Sequence, residues 1–198
     1  MPRPPEIRIA HDSHTWAAAA AEIVHTIGQE AVRTNGRFLI ALSGGTTPEA
    51  LYQTITSPGF SGRFDWSRTI FFFSDERGVP PDDPRSNYAS ANRALFTPLN
   101  ITPSQVYRMA GESRDPQAAA HEYEQQLRRA TNTPPSSLPI LDLVLLGLGE
   151  DGHTASLFPE SPILRDDLSL IAVSQSPKDP PIRLTMTLGV INRASVIL

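Results

Sequence analysis

The sequence predicts an α/β fold, a layered α/β/α arrangement around a mostly parallel, Rossmann-like sheet. Three observations carry this expectation. The apolar runs FLIALS (38–43), TIFFFSD (69–75) and LDLVLLG (141–147) lack the polar alternation of a strand with one wet face, as inner strands covered on both faces do. Helical stretches separate them, and a strand–helix–strand order favours parallel pairing with helices on both faces. The chain has 198 residues, 39% hydrophobic and 19% charged, enough for one substantial core, so one domain over 1–198 is expected.

Taken in order, a short strand is expected over Glu6–Ile9. Asp12 or Ser13 then caps a helix on which Trp16, Ala20, Ile23, Ile27 and Ala31 recur at helical spacing, with Asn35 and Gly36 ending it. The first inner strand leads into a helix at PEALYQTI (48–55), and the second is followed by a helix at SNYASANRALF (86–96). A further helix from about Asp115 to Ala130 carries Ala119, Tyr123 and Leu127 on one face. After the third inner strand the chain closes on ASVIL (194–198), an apolar strand. The 19 prolines are scattered through connections and read as loop punctuation.

Composition removes several function classes. There is no cysteine, hence no disulfide, thiolate metal site or cysteine nucleophile. A net charge of −4 argues against a nucleic-acid surface. Lys178 is the only lysine, so a bidentate grip on an anion falls to arginine. No apolar run approaches the roughly 18 residues of a membrane span, and the start MPRPPEIRIAHDS lacks a signal-peptide core. The expectation is a cytoplasmic protein that takes a small molecule, as a monomer or weak homo-oligomer, without membrane or nucleic-acid partners. Neither metal nor organic cofactor is expected, because carboxylates and histidines show no ligand spacing.

Ligands of such sheets sit beyond the carboxyl ends of the strands, and three strand ends carry chemistry. In SGGTTP (43–48), Gly44 and Gly45 let the backbone approach a ligand closely. Ser43 and Thr46 supply hydroxyls, and the following helix terminus forms an anion site. The same loop reads equally as a glycine turn with a threonine cap. In SDERGVPPDDPRSNY (74–88), Asp75 and Glu76 can orient hydroxyls and Arg77 places a positive charge. Arg85 and Asn87 are within reach of the same crevice. Alone, this segment also reads as a solvated charged loop. In GLGEDGHTASLFP (147–159), the first residues spell G-x-G-x-x-G, but no ribose-binding acid follows at the distance a dinucleotide requires. The glycines, Gly149 among them, instead suggest a tight turn that presents His153, with Asp151 placed to orient it. The three strands, ending at Leu42, Ser74 and Leu146, are expected to be neighbours in one sheet.

Together SGGTTP, DERGVPPDDPRSNY, GLGEDGHTASLFP and RLTMTLGVINRA, in this order, resemble the 6-phosphogluconolactonase family. The resemblance implies the fold shared with glucosamine-6-phosphate deaminase and ribose-5-phosphate isomerase. It also implies hydrolysis of a phosphosugar lactone, with the SGGTTP loop on the phosphate, His153 as general base and Arg77 in the crevice. Arg183 joins Arg77 and Arg85 as a source of local positive field. A deaminase would carry tyrosine at position 77 and an IAFNEP-like run in place of TASLFP. A non-catalytic sugar-phosphate module would retain the loop without needing the His153 turn. Family members continue past Leu198 with another strand and a lysine near the phosphate, so the chain is expected to lack that segment.

Overall fold

The computed structural model describes residues 5–166 and 169–198. A four-stranded parallel sheet runs in the order β2-β1-β4-β7, formed by β1 (Phe38–Leu42), β2 (Thr69–Phe73), β4 (Leu143–Val144) and β7 (Val196–Ile197). The three inner strands expected from the apolar runs are therefore adjacent, with β1 between β2 and β4. Successive residues of a strand face opposite sides, which explains the unbroken apolar runs. Phe38, Ile40, Leu42, Phe71 and Phe73 enter one core, while Leu39, Ala41, Phe72 and Val144 enter a second on the other face.

The first core is closed by three helical elements, α1 (Ser13–Asn35), α2 (Thr46–Thr56) and α3 (Asn87–Ala91), the last continuing as a wider turn over Asn92–Phe96. The second is closed by α4 (Pro116–Thr131), with Ala119, Tyr123 and Leu127 buried as the spacing predicts, and by the short α5 (Leu188–Ile191). Asp12 caps α1 by accepting from the Thr15 amide at 2.7 Å, and Gly36 ends it at φ 74°. Its buried stripe is Ala17, Ala20, Ala21, Val24, Gly28 and Ala31, small residues that let the helix lie close to the sheet. The larger Trp16 and Ile27 flank that stripe, half-buried.

Two expectations fail. Glu6–Ile9 forms no strand, and Ile7 and Ile9 are 81% and 93% exposed. Their alternating pattern meets no sheet edge, and a strand without a partner leaves its backbone groups unpaired. Asp75–Arg77 is not a free loop after β2 but a second short strand, β3, antiparallel to β6 (Ile182–Met186), which in turn pairs with β5 (Ile171–Gln175). The chain changes sheets at Ser74, whose amide donates to Leu42 O at 2.8 Å and whose carbonyl accepts from the Met186 amide at 2.7 Å. This small antiparallel sheet places Arg183 directly across from Arg77.

Candidate active site

The glycine loop is held from beneath. Tyr52, nearly two turns into α2, donates its hydroxyl to Ser43 O at 2.7 Å and accepts from the Ser43 amide at 3.2 Å, locking both backbone polar groups of that residue. Burial raises the Tyr52 phenol, which stays protonated for this role. Gly45 stands at the N-cap of α2 with φ 110°, a left-handed region that favours glycine, and no side chain caps the helix. The first-turn amides of an α-helix have no intrahelical acceptor. Amides so placed can receive an anion.

After β4 the chain turns twice on itself. The Gly149 amide donates to His153 O at 2.8 Å and the Gly152 amide to Gly149 O at 2.9 Å, with Gly152 at φ 85°. No helix follows, so the G-x-G-x-x-G string does not form the strand–turn–helix of a dinucleotide site. The turn instead brings His153 Nδ1 onto Asp151 Oδ1, and a Cβ built on Gly149 would fall on the imidazole. The bond to His153 holds the Asp151 carboxyl below its ordinary value. An ionised carboxylate can only accept, so Nδ1 carries a proton, and in the neutral imidazole the lone pair is then on Nε2. Among the described residues nothing hydrogen-bonds Nε2. Phe158 covers the ring, centroids 4.8 Å apart. Asp151→Asn keeps the size of the side chain but loses the carboxylate that holds Nδ1–H, so kcat is expected to fall by ~10²-fold, the typical penalty of a misplaced group. Turnover near the wild-type rate in a folded Asp151→Asn protein counts against this pairing.

These elements face one open cleft of about 430 Å³ at the carboxyl edge of the parallel sheet. It is lined by Ser43, Gly44, Gly45 and Thr46 from the loop, Asp75 and Arg77 from β3, and Gly149 and His153 from the turn. Trp16, Leu145, Leu148, Ala155 and Leu198 supply apolar wall that sequence reasoning did not single out. Only the folded chain brings α1 and the strand ends together, so no local pattern marks these residues.

Five of the expected residues, Asp151 among them, do not line the cleft. Glu76 is 2% exposed and accepts from the amides of Arg77, Asn87 and Tyr88 and from Ser86 Oγ, at 2.7 to 2.9 Å. Burial raises its carboxyl against the pull of those donors. Its position is structural, pinning the start of α3 to β3. Arg85 points to Asp83 and Asp179 at the surface, and it is its carbonyl that meets the site, accepting from Arg77 Nη1 at 2.6 Å. Asn87 is buried behind the glycine loop. Arg183 is buried beside Arg77, and burial followed by that neighbouring charge lowers its guanidinium below the ordinary value. The Nε atoms of both arginines are buried without a partner among the described residues. Asp151 lies behind His153. Among the described residues no cluster of three metal-ligating side chains occurs, and no helix is long and apolar enough to cross a membrane.

Fold and cleft together define a class, that of α/β proteins with an open cleft at the carboxyl edge of a parallel sheet, walled by a glycine-capped helix terminus and an imidazole. Residues 11–198 match the family described as glucosamine-6-phosphate isomerases/6-phosphogluconolactonase. The chain is 35% identical over 192 residues to the 6-phosphogluconolactonase of Nostoc sp., covering 97% of this chain and 78% of that protein. Identity to the 6-phosphogluconolactonase of Mycobacterium tuberculosis is 40% over 194 residues, covering 95% and 77%. Among solved structures, 6-phosphogluconolactonase from Trypanosoma cruzi superposes with a TM-score of 0.88 at 30% identity, over all of this chain and 80% of that one. The Trypanosoma brucei enzyme gives 0.83 at 26% identity, covering 98% and 80%. The chain belongs to the glucosamine-6-phosphate isomerase/6-phosphogluconolactonase family.

Proposed function

We propose that this chain hydrolyses 6-phospho-D-glucono-1,5-lactone to 6-phospho-D-gluconate, the lactone-opening step of the oxidative pentose phosphate pathway, in the cytoplasm. One observation supports the assignment above others: a glycine-capped helix terminus and an Asp-oriented imidazole line the same cleft. The first suits a phosphate and the second a water-activating base, as the two ends of a phosphosugar lactone require.

In this reading His153 Nε2 takes a proton from a water molecule as its oxygen adds to the lactone carbonyl carbon. The carbonyl oxygen becomes an oxyanion, for which Arg77 is the available side-chain donor. Asp151 stabilises the imidazolium through Nδ1–H. As the tetrahedral intermediate collapses, the bond from the carbonyl carbon to the ring oxygen breaks and Nε2–H returns its proton to that oxygen. The base is then regenerated, and water has been added with no net gain or loss of protons before the new carboxyl ionises. The phosphate dianion meets the α2 terminus, with the field of Arg77 and Arg183 offsetting a chain whose net charge is −4.

A lactonase assay on freshly generated lactone, corrected for spontaneous hydrolysis, tests the proposal directly. Rates at the spontaneous background sink it, and release of ammonia from glucosamine 6-phosphate would move the assignment to deamination. The loop's share is separable. Gly45→Val puts a branched side chain at φ 110°, which L residues rarely adopt, into the open space before the helix terminus where the phosphate would approach. Charge-assisted hydrogen bonds are worth about 1.5–3 kcal/mol each, so KM is expected to rise ~10- to ~100-fold with a smaller change in kcat. An unchanged KM would place the phosphate elsewhere.

A further inference from the structure

We propose that Asn87 is a positioning residue that sets the register between the glycine loop and the His153 turn, acting through Asp75. The inference rests on the lactonase reading above. Asn87 is 2% exposed and belongs to neither element it connects. Its Nδ2 donates to Asp75 O at 2.8 Å and to Asp75 Oδ1 at 3.1 Å. This fixes the carboxamide so that Oδ1 lies against Gly44, where a Cβ on that glycine would fall on the oxygen. The space a side chain would fill at position 44 is therefore filled by Asn87. That oxygen is buried and has no hydrogen-bond partner among the described residues. Buried acceptors are nearly always paired, so its placement reflects a constraint other than its own hydrogen bonding.

The second half of the path begins at the same carboxylate. Asp75 Oδ2 accepts from Ser156 Oγ at 2.7 Å, three residues beyond His153. Ser156 is itself fixed, its amide donating to Thr185 Oγ1 at 3.2 Å and its carbonyl accepting from Ser174 Oγ at 2.6 Å. The other end is equally constrained, because the Asn87 amide donates to the buried Glu76 Oε1 at 2.7 Å. Contact and hydrogen bonds thus run without interruption from Gly44 through Asn87 and Asp75 to Ser156. The loop that receives the phosphate is tied to the turn that carries the base. A substrate anchored on one must present its carbonyl carbon to the other, and this path sets the distance between them.

The distinguishing property is dependence on the phosphate. Glucono-1,5-lactone has no anchor on the loop, so a shifted loop does not misplace it against His153. Asn87→Ala is expected to lower kcat on 6-phosphoglucono-1,5-lactone by up to ~10²-fold, the penalty typical of about 1 Å of misplacement. The rate on glucono-1,5-lactone should change by less than about twofold, a difference too small to reflect lost alignment. A merely structural role would lower both rates together, and equal losses overturn the proposal. The second measurement is rescue. Gly44→Ala drives its methyl into Asn87 and should be severely impaired on the phosphorylated lactone, whereas Gly44→Ala combined with Asn87→Ala should recover to the level of Asn87→Ala alone. Strictly additive losses in this cycle also overturn it. Should Asn87→Ala fail to fold, Asn87→Ser serves in both comparisons. Wild-type protein that gives no rate above background would sink the lactonase reading. In that event binding of 6-phosphogluconate by calorimetry carries the same cycle, with rescue of affinity in the double variant supporting the path and additive losses overturning it.

Discussion

His153→Ala is expected to lower kcat on the phosphorylated lactone by ~10²- to ~10⁴-fold, the usual worth of a positioned general base. Affinity for 6-phosphogluconate should stay nearly unchanged, because the proposed phosphate contacts lie on the α2 terminus and a base acts mainly in the transition state. Nothing else lining the cleft replaces the imidazole. Asp75 is spoken for by Asn87 and Ser156, and Asp151 stands behind the ring. Added imidazole should restore part of the rate in the vacated space. Steady-state kinetics together with product titration provide the check. A loss of product affinity with kcat retained would make His153 a binding residue and leave the base unassigned.

The second large effect is expected from the smallest change. Gly149→Ala adds one methyl group, but its Cβ would fall on the His153 ring and beside Asp151 Oδ1. The turn cannot yield easily, since Gly149 donates to His153 O and accepts from Gly152 N. Either the imidazole leaves Asp151 or the backbone opens, and in both cases Nε2 loses its orientation. A misplacement of about 1 Å is typically worth ~10²-fold in rate, so kcat should drop by that order while KM moves little. Circular dichroism and a melting curve would show whether the rest of the fold is intact. Near wild-type turnover in a folded Gly149→Ala protein would mean that the Asp151–His153 contact does not govern catalysis.

Much of this site was legible because each component is a local pattern. SGGTTP announces a glycine-capped helix terminus through residue types alone, and a histidine set among glycines after a buried strand announces an exposed imidazole. The inner strands were legible for the same reason, since unbroken apolar runs such as FLIAL and TIFFF need two covered faces. What eluded sequence reasoning depends on distant partners. Glu76 and Arg85 sit in the same charged stretch as Arg77, yet one is buried as a cap for α3 and the other is drawn to Asp83 and Asp179. Nothing in DERGVPPDDPR distinguishes those roles. Glu6–Ile9 has strand-like alternation, but alternation specifies a strand only where an edge is available to pair with it.

Local sequence left the start of α1 open between Asp12 and Ser13, but it accounts for the stop at Gly36, the three parallel strands, the glycine loop and the Asp151–His153 turn. These follow from backbone preference, periodicity and short-range hydrogen bonding over a few residues. Only the tertiary structure decided that β3 would leave the parallel sheet at Ser74 to pair with β6, bringing Arg183 beside Arg77. It alone decided that Asn87 would fill the space above Gly44 and join Asp75 to Ser156. The physical reason is that burial and cross-strand register are properties of the whole packed chain. A carboxylate or guanidinium acquires its role from what excludes water around it, and those neighbours are distant in the chain, 81 residues apart for Asp75 and Ser156.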